Sequence, residues 1–453
     1  MRRLVTTSDP VQTGNADTPP DQAQSIWPLQ GVAVTGLFGQ RTFGIALDAV
    51  ATILTGENGS GKSTLLRAIQ IVADGDWRQF YDLPLAELRL EFADGRHLMV
   101  KGEDDETVTV SDGDNAPWSV DLTTSRDDRR YRHRLAQLRS HIQRTRPGPE
   151  REQLQFRYAT MREDFAAHTG GELFDPPEWL AAIRGGLRTK LISARRLEHR
   201  LRPDPREVGE KPVSVVEEFA QEILTRMREQ LSAYAAESRR QEKSLPSRIV
   251  SAMQNNVGSN PEELATSVDE LRAQVRELAD SLARVGLFDE DDDPDQRFAE
   301  YPRDNVSILL AIHEVYAVTL QRLERLTDLR SELGLFASFL NDRLTSKEIE
   351  LNQRTGIDVV LNNGERIRPS NLSSGEQQLL ALGYELIFGT SRRSVVLLDE
   401  PELSLHVAWL QGLLSEFIGI GERRELQFII ATHSPSVFAG AIERERSLDT
   451  AGL

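Results

Sequence analysis

The segment from Gly56 to Thr64 reads Gly-Glu-Asn-Gly-Ser-Gly-Lys-Ser-Thr and has the spacing of a phosphate-binding loop. Glycines let consecutive backbone N–H groups point inward around an anion, and a helix beginning at Lys62 would offer its positive end. A strand-like run precedes the loop and a helical pattern follows it, which disfavours a chance glycine-rich turn. The residues expected to bind nucleotide are Gly56, Asn58, Gly59, Ser60, Gly61, Lys62, Ser63 and Thr64.

An acidic pair follows the apolar run Val395–Leu398, and this run predicts a buried strand. Asp399 and Glu400 then lie at the carboxyl end of that strand, where open α/β sheets place their ligands. With Ser63, Asp399 would hold Mg²⁺, while Glu400 would orient and deprotonate an attacking water. Two acids on a turn are common on their own, and the phosphate-binding loop gives them this interpretation.

Two further segments carry groups that suit phosphate chemistry. Ser373, Ser374 and Gly375 open a predicted helix, so that they offer either a simple N-cap or a second phosphate-binding helix end. His433 follows the apolar strand Phe428–Ile430 and could hydrogen-bond a γ-phosphate, although a lone histidine is more often structural. We therefore predict Glu400 and His433 as catalytic residues and ATP with Mg²⁺ as the bound groups.

The elements that must position these groups fall into two separated halves. Residues 1–25 are polar and predict a disordered leader. Short strands and Asp-Gly turns indicate the first half of an α/β head over residues 26–125, and alternating helices and strands indicate its second half over 346–453. Residues 126–345 have few glycines and long helical patterns, which predict an inserted helical arm. The fold class is therefore α/β, with a head split in sequence.

The arm contains three heptads between Leu264 and Val285, which predict a short coiled coil, either packed within the chain or paired between chains. Ten arginines against four acids occur in 126–158, and eight basic residues against two acids occur in 184–206. One interpretation is a surface that binds DNA, RNA or an acidic partner protein. The alternative is a solvated helical face whose arginines pair with glutamates of neighbouring helices. The acidic run 289–295 is expected to be a solvated loop.

Composition restricts the classes of function. The chain has 453 residues and a formal net charge of −17, so any contact with nucleic acid must come from a local basic patch. It contains no cysteine, which excludes disulfides and thiolate metal sites and fits a cytoplasmic location. No apolar run is long enough to indicate a membrane span.

On these motifs the chain resembles the ABC-type ATPase superfamily: the phosphate-binding loop, the signature Leu372–Gln378, the strand ending in Asp399-Glu400-Pro401-Glu402, and the histidine of Ala431–Pro435. A head split around a helical insertion is similar to the branch with SMC proteins, RecF and OLD-family nucleases. The resemblance implies that two heads sandwich two ATP molecules. It places Ser374 and Gly375 of one subunit on the γ-phosphate held by Lys62 of the other.

Three departures qualify the resemblance. An OLD nuclease carries a metal-dependent Toprim domain after the head, and only 20 residues follow His433 here. The long-armed repair ATPase has a cysteine hook, and this chain has no cysteine. The glutamine that senses Mg²⁺ is not evident, since arginines follow the strand-like run at Lys190–Ser193.

The resemblance implies an ATPase whose heads associate when ATP is bound, as a homodimer or a higher homo-oligomer. It would act with DNA or a separate effector protein in DNA repair or anti-phage defence, without nuclease activity of its own. One alternative is a slow ATP-sensing scaffold. Another is a transporter cassette, which the separation of over 300 residues between Lys62 and Gly375 disfavours.

Overall fold

The computed structural model divides the chain into two compact units, residues 1–47 with 71–188, and residues 48–70 with 189–453. The leader, the acidic run 289–295 and most of the two arginine-rich segments lie outside the residues that the structure describes. The described residues are 27–103, 106–122, 137–138, 154, 157, 161, 176–193, 214–256, 260–288, 300–403, 405, 407–410, 412–433 and 442–449.

The elements in chain order are β1 (Leu29–Leu37), β2 (Arg41–Ala46), β3 (Ala51–Thr55), α1 (Lys62–Asp74), α2 (Trp77–Tyr81), β4 (Glu87–Phe92), β5 (His97–Glu103), β6 (Thr107–Ser111), β7 (Trp118–Asp121), α3 (Glu178–Gly186), β8 (Arg188–Ser193), α4 (Val215–Asn255), α5 (Pro261–Ala283), α6 (Val306–Glu324), α7 (Thr327–Asn341), β9 (Lys347–Asn352), β10 (Gly356–Leu361), β11 (Arg366–Ile367), α8 (Ser374–Ile387), β12 (Ser394–Asp399), α9 (Val407–Leu410), α10 (Leu413–Arg424), β13 (Leu426–Ala431) and β14 (Glu445–Ser447).

The first unit contains an antiparallel sheet whose order, over the described strands, is β2-β1-β4-β5-β6-β7. Along β4 the apolar residues Leu88, Leu90 and Phe92 are buried, while the residues between them face outward. This alternation is the pattern of a sheet with one covered face. The two predicted Asp-Gly turns are confirmed, because Gly95 and Gly113 have φ of 86° and 85°, a conformation that glycine adopts without strain.

The second unit contains a sheet of order β14-β3-β13-β12-β8, in which β14, β3, β13 and β12 run parallel. Every residue of β13, and every residue of β12 before Asp399, is buried. Such continuous burial is typical of a parallel sheet covered on both faces. Because these strands are parallel, the segments that follow β3, β12 and β13 lie at one edge of the sheet. The predicted α/β class is confirmed.

The helices of the second unit pack against one another within the chain. Val216, Phe219, Ile223 and Met227 recur at helical spacing along α4 and are all buried, while Leu231, one turn further on, is only partly buried. The heptad residues other than Val285 lie on α5, which packs against α6. Val268, Val275 and Leu282 of that face are buried, which favours packing within the chain over a zipper between chains.

Helix α6 is the one described helix long and apolar enough to cross a membrane by composition. Leu309, Ile312, Tyr316 and Leu323 of this helix are buried, and 39% of its most apolar 18-residue window is buried overall; a single helix of this kind is weak evidence for a membrane span.

Two apolar stretches with helical spacing are each divided into two helices. The stretch Ile308–Leu340 splits into α6 and α7, because the N–H groups of Arg325 and Leu326 bond to carbonyls three residues back instead of four. The stretch Leu403–Ile418 splits into α9 and α10, since Gly412 between them has φ of 80°, outside the helical region. Antiparallel β9, β10 and the short β11 form a further small sheet in this unit.

Candidate nucleotide site

The phosphate-binding loop connects β3 to α1 within the second unit. Gly56, Gly59 and Gly61 have φ of 150°, 80° and 102°, so a side chain at any of them would be strained. A Cβ atom on Gly56 would also lie 2.8 Å from Ser60 Oγ. Helix α1 begins at Lys62, as predicted, and its first turn carries no acidic residue that would compete with an anion.

The ammonium of Lys62 lies over the loop and is almost fully buried. Its Nζ donates hydrogen bonds to the carbonyl oxygens of Gly56 at 2.8 Å and Glu57 at 3.1 Å. Burial lowers the pKa of Lys62 below its usual value, and the nearby carboxylates, of which Asp449 acts most strongly, oppose that change. A phosphate would replace these carbonyl contacts with a charge-assisted bond.

The two residues expected to ligate Mg²⁺ are in contact. Ser63 Oγ donates a hydrogen bond to Asp399 Oδ1 at 2.7 Å, although the two residues are 336 positions apart. A hydroxyl and a carboxylate oxygen at one point form the hard donor set that Mg²⁺ prefers. The residues present therefore fit the cation.

The expected catalytic base and the histidine are also in contact. The distance between Glu400 Oε1 and His433 Nε2 is 2.9 Å, and His433 Nδ1 lies 3.5 Å from Lys62 Nζ. Glu400 has φ of 49°, a strained value for a residue with a side chain, and its N–H donates to the carbonyl oxygen of Ala431 at 2.9 Å. This bond connects the ends of β12 and β13 and holds Glu400 toward the histidine.

Two acidic residues support the site without having been predicted as site residues. Glu402 Oε1 accepts hydrogen bonds from the Thr432 hydroxyl and from the backbone N–H of His433. Asp449 Oδ2 accepts a hydrogen bond from the N–H of Glu57 at 2.9 Å. Glu402 follows the acidic pair in sequence and could have been found, whereas no motif marks Asp449, which is 392 positions from Glu57.

The signature residues cap helix α8. Ser373 is the N-cap, and it forms a reciprocal capping box with Glu376. Burial raises the pKa of Glu376, but hydrogen bonds from Lys347 Nζ, at 2.7 and 2.8 Å, and from Ser373 outweigh it and leave the pKa below its usual value. The expected place of Ser374 and Gly375 on a second subunit's nucleotide remains a prediction.

The structure thus brings together Lys62, Ser63, Asp399, Glu400 and His433 at one edge of the parallel sheet. It leaves the signature helix exposed at its N-terminus. The strand-like run Lys190–Ser193 is confirmed as part of β8, beside β12 in the sheet. The arginines that follow it lie outside the described residues, as do Ser404 and His406 of the segment after Glu400.

Known proteins provide three comparisons. A segment of 102 residues is 31% identical to the Retron Vc95 probable ATPase of Vibrio cholerae serotype O1 biovar El Tor, and the match covers 20% of each chain. The Pyrococcus furiosus Smc head domain with an extended coiled coil, bound to the C-terminal domain of ScpA, is 14% identical with a TM-score of 0.36 over 91% of both chains. The SMC head domain from Thermotoga maritima is 13% identical with a TM-score of 0.33, over 92% of this chain and 94% of that one.

The chain also matches a protein-family profile. The profile described as "AAA domain, putative AbiEii toxin, Type IV TA system" matches residues 51–439, from β3 to the segment after His433. This match and the parallel sheet with its phosphate-binding loop confirm the expected ATPase-type head. Since the match covers well over half of the sequence, the chain belongs to this AAA domain family.

Proposed function

We propose that the protein is a cytoplasmic ATPase that converts ATP and water to ADP and phosphate. The observation that carries the proposal is the convergence of a phosphate-binding lysine, a hydroxyl–carboxylate pair and a glutamate–histidine pair at one sheet edge. Each of these groups has a separate task in phosphoryl transfer, and all of them follow three neighbouring strands.

The loop and Lys62 bind the phosphates. Backbone N–H groups of the glycine-rich segment and the Lys62 ammonium neutralise the β- and γ-phosphates and hold the terminal phosphoryl group in place. Ser63 and Asp399 would hold Mg²⁺, which, when bound, neutralises charge between the β- and γ-phosphates. The rest of the chemistry belongs to residues at the ends of β12 and β13.

Glu400 positions and deprotonates the attacking water. In the structure its carboxylate is paired with His433, whose other ring nitrogen lies 3.5 Å from Lys62 Nζ, so the base and the histidine are both close to the loop. When ATP enters, His433 turns its N–H to the γ-phosphate and Glu400 becomes available to the water. The backbone bond from Glu400 to Ala431 keeps the base in register with the histidine during this exchange.

Nucleotide also controls association in this proposal. Ser374 and Gly375 lie in the first turn of α8, where N–H groups have no acceptor within the helix itself, and Ser374 is exposed, a geometry that suits the γ-phosphate held by a second copy. We further propose that the associated heads act on a separate effector in anti-phage defence. The family description names a toxin–antitoxin system, and the Vibrio cholerae relative is a retron ATPase.

The variant Glu400→Gln tests both parts of the proposal. The amide keeps the size of the side chain but cannot accept the water proton, so kcat should fall by about 10²–10⁴-fold while ATP still binds. Trapped ATP should then convert the protein to a dimer or a higher oligomer in light scattering. The measurements are phosphate release, equilibrium ATP binding and mass with and without ATP.

Glu422→Gln is the matched control, because Glu422 is an exposed carboxylate on α10. It should leave turnover and mass unchanged. Full turnover in Glu400→Gln would remove Glu400 from the mechanism. If turnover of Glu400→Gln falls as expected but its mass does not increase with ATP, the ATPase proposal stands and the proposal that two heads sandwich ATP is rejected. A wild-type kcat too low to detect, with or without DNA, would favour an ATP-sensing scaffold instead.

A further inference from the structure

A cavity of about 330 Å³ in the second unit is lined by guanidinium groups that take no part in the nucleotide site. Among its described lining residues, five arginines face two carboxylates, Asp328 and Glu332, on a protein with a net charge of −17. The arginines come from α4, from the junction of α6 and α7, from the segment before β12, and from the end of α10. They are Arg226, Arg325, Arg392, Arg423 and Arg424.

The charges in this cavity are incompletely balanced. The Glu332 carboxylate forms ion pairs with two guanidinium groups. Its Oε2 lies 2.8 Å from Arg226 Nη2 and its Oε1 lies 3.0 Å from Arg424 Nη1. Arg424 is buried, its Nη2 donates to the carbonyl oxygen of Thr390, and its Nε has no hydrogen-bond partner among the described residues. A buried charge of this kind needs further compensation.

The remaining arginines are available at the rim. Arg325 lies 3.5 Å from Glu237 and Arg392 lies 3.4 Å from Glu425, and exposed ion pairs of this kind contribute little. Arg423 is exposed and makes no ion pair with any residue that the structure describes. An anion can therefore be bound here without breaking a strong contact.

The cavity is separate from the nucleotide site. Arg392 precedes the start of β12 and Arg424 precedes the start of β13, whereas Asp399 and Ala431 end those strands. Each strand has six residues, and at about 3.3 Å per residue the two ends are roughly 17–20 Å apart. A ligand in the cavity would contact the amino ends of the strands whose carboxyl ends hold the catalytic residues.

We propose that this cavity binds a small phosphorylated ligand. Guanidinium groups bind phosphate oxygens through paired, charge-assisted hydrogen bonds, and five of them converge here. The volume lies in the range of small-molecule sites, about 300–1,000 Å³. A nucleic-acid strand would instead need a groove that follows its backbone over several nucleotides.

Inorganic pyrophosphate is the probe, titrated by calorimetry into the full-length chain. Lys62→Ala removes the phosphate-binding lysine of the nucleotide site, so the remaining binding reports the cavity. In that background Arg392→Glu with Arg423→Glu should weaken pyrophosphate binding at least tenfold. Arg228→Glu with Arg354→Glu makes the same charge change at exposed positions outside the cavity and should change binding less than twofold.

Several results would overturn the proposal. These are no pyrophosphate binding by Lys62→Ala, an equal loss in the two double variants, or retained binding in the cavity variant. Tighter binding of a 20-nucleotide single strand or of an acidic peptide through the same arginines would assign the cavity to a macromolecule instead. If the cavity variant does not fold by circular dichroism, Arg423→Ala replaces it and must weaken binding at least threefold.

Discussion

At the scale of single residues, the polar groups of the nucleotide site contact one another or their own loop. Ser63 is bonded to Asp399, Glu400 is paired with His433, and Lys62 is bonded to carbonyl oxygens of its own loop. ATP and its cation must replace these contacts when they bind. Nucleotide binding is therefore coupled to the release of Glu400 and His433 for catalysis. The strained backbone of Glu400 is typical of a residue held in position for its chemistry.

Lys62→Ala should abolish tight ATP binding. Lys62 is the cation of the loop, and a hydrogen bond to a charged group contributes about 1.5–3 kcal/mol, so affinity should fall by roughly 10- to 150-fold. Equilibrium binding of labelled ATP measures the effect. Lys243→Ala, an exposed lysine on α4, is the control. Unchanged affinity in Lys62→Ala would mean that Gly56–Thr64 is not the nucleotide site.

Asp449→Asn should strengthen ATP binding. The asparagine retains an oxygen that can accept from the Glu57 N–H, but it removes a negative charge close to Lys62 and to the expected phosphates. Relief of that repulsion should improve affinity about threefold at physiological salt, and less at high salt. ATP titrations at two salt concentrations provide the measurement, with Asp304→Asn as an exposed control. Weaker binding would show that the carboxylate itself holds the loop.

At the scale of elements, helix α8 depends on its first turn. Its capping box is joined to β9 through the ion pair of Lys347 and Glu376, both largely buried. The sequence predicted a cap from its serines, Ser373 or Ser374. It could not predict the partner lysine, because the contact depends on how β9 packs beside the helix. The signature segment is therefore fixed by a neighbouring strand as well as by its own cap.

Glu376→Gln should destabilise the fold in a pH-dependent manner. Because the pKa of Glu376 is below its usual value of 4.5 in the folded protein, its carboxylate stabilises the fold above that pH. This contribution is lost as the pH falls through the folded-state pKa. The variant should lose about 1–2 kcal/mol at pH 7 and progressively less below pH 4.5.

Urea unfolding of both proteins at a series of pH values measures this difference. Glu348→Gln on β9, the strand that carries Lys347, is the control, because Glu348 is exposed. A difference that is constant with pH would mean that the ion pair with Lys347 is not the source of the stability.

At the scale of the whole molecule, the α/β class and the phosphate chemistry were predictable, because glycine spacing and buried strands are local signals. Asp449 was not predictable, since its role arises from a contact with Glu57, 392 positions away. Glu402 was missed although it follows the predicted acidic pair, because its contact with His433 depends on how the ends of β12 and β13 meet. The break between α6 and α7 contains neither proline nor glycine and left no signal in the sequence. The boundaries of the inserted arm, 126–345, stay a prediction.

Leu282→Ala tests the packing of the arm. Leu282 lies on the heptad face of α5 and is fully buried, so the truncation should cost about 2–5 kcal/mol of unfolding free energy. The mass of the nucleotide-free protein should not change, because the face packs against α6 of the same chain. Urea unfolding and light scattering are the measurements, and Leu403→Ala, at an exposed leucine, should cost less than about 0.5 kcal/mol. A concentration-dependent change in mass would instead indicate a zipper between chains.

The order of strands in the parallel sheet has a consequence for synthesis on the ribosome. Strand β3, which leads into the phosphate-binding loop, pairs with β13 and β14, so its neighbours are made some 375 residues after it. At a synthesis rate of about 5–20 residues per second, roughly 20–75 s pass between the synthesis of β3 and that of its partner strands. During that time Ile53 and Leu54, which are buried in the folded protein, cannot yet be covered by the sheet. The nascent chain therefore exposes apolar residues to which chaperones can bind. A nucleotide can therefore help complete folding only after the last strands have left the ribosome.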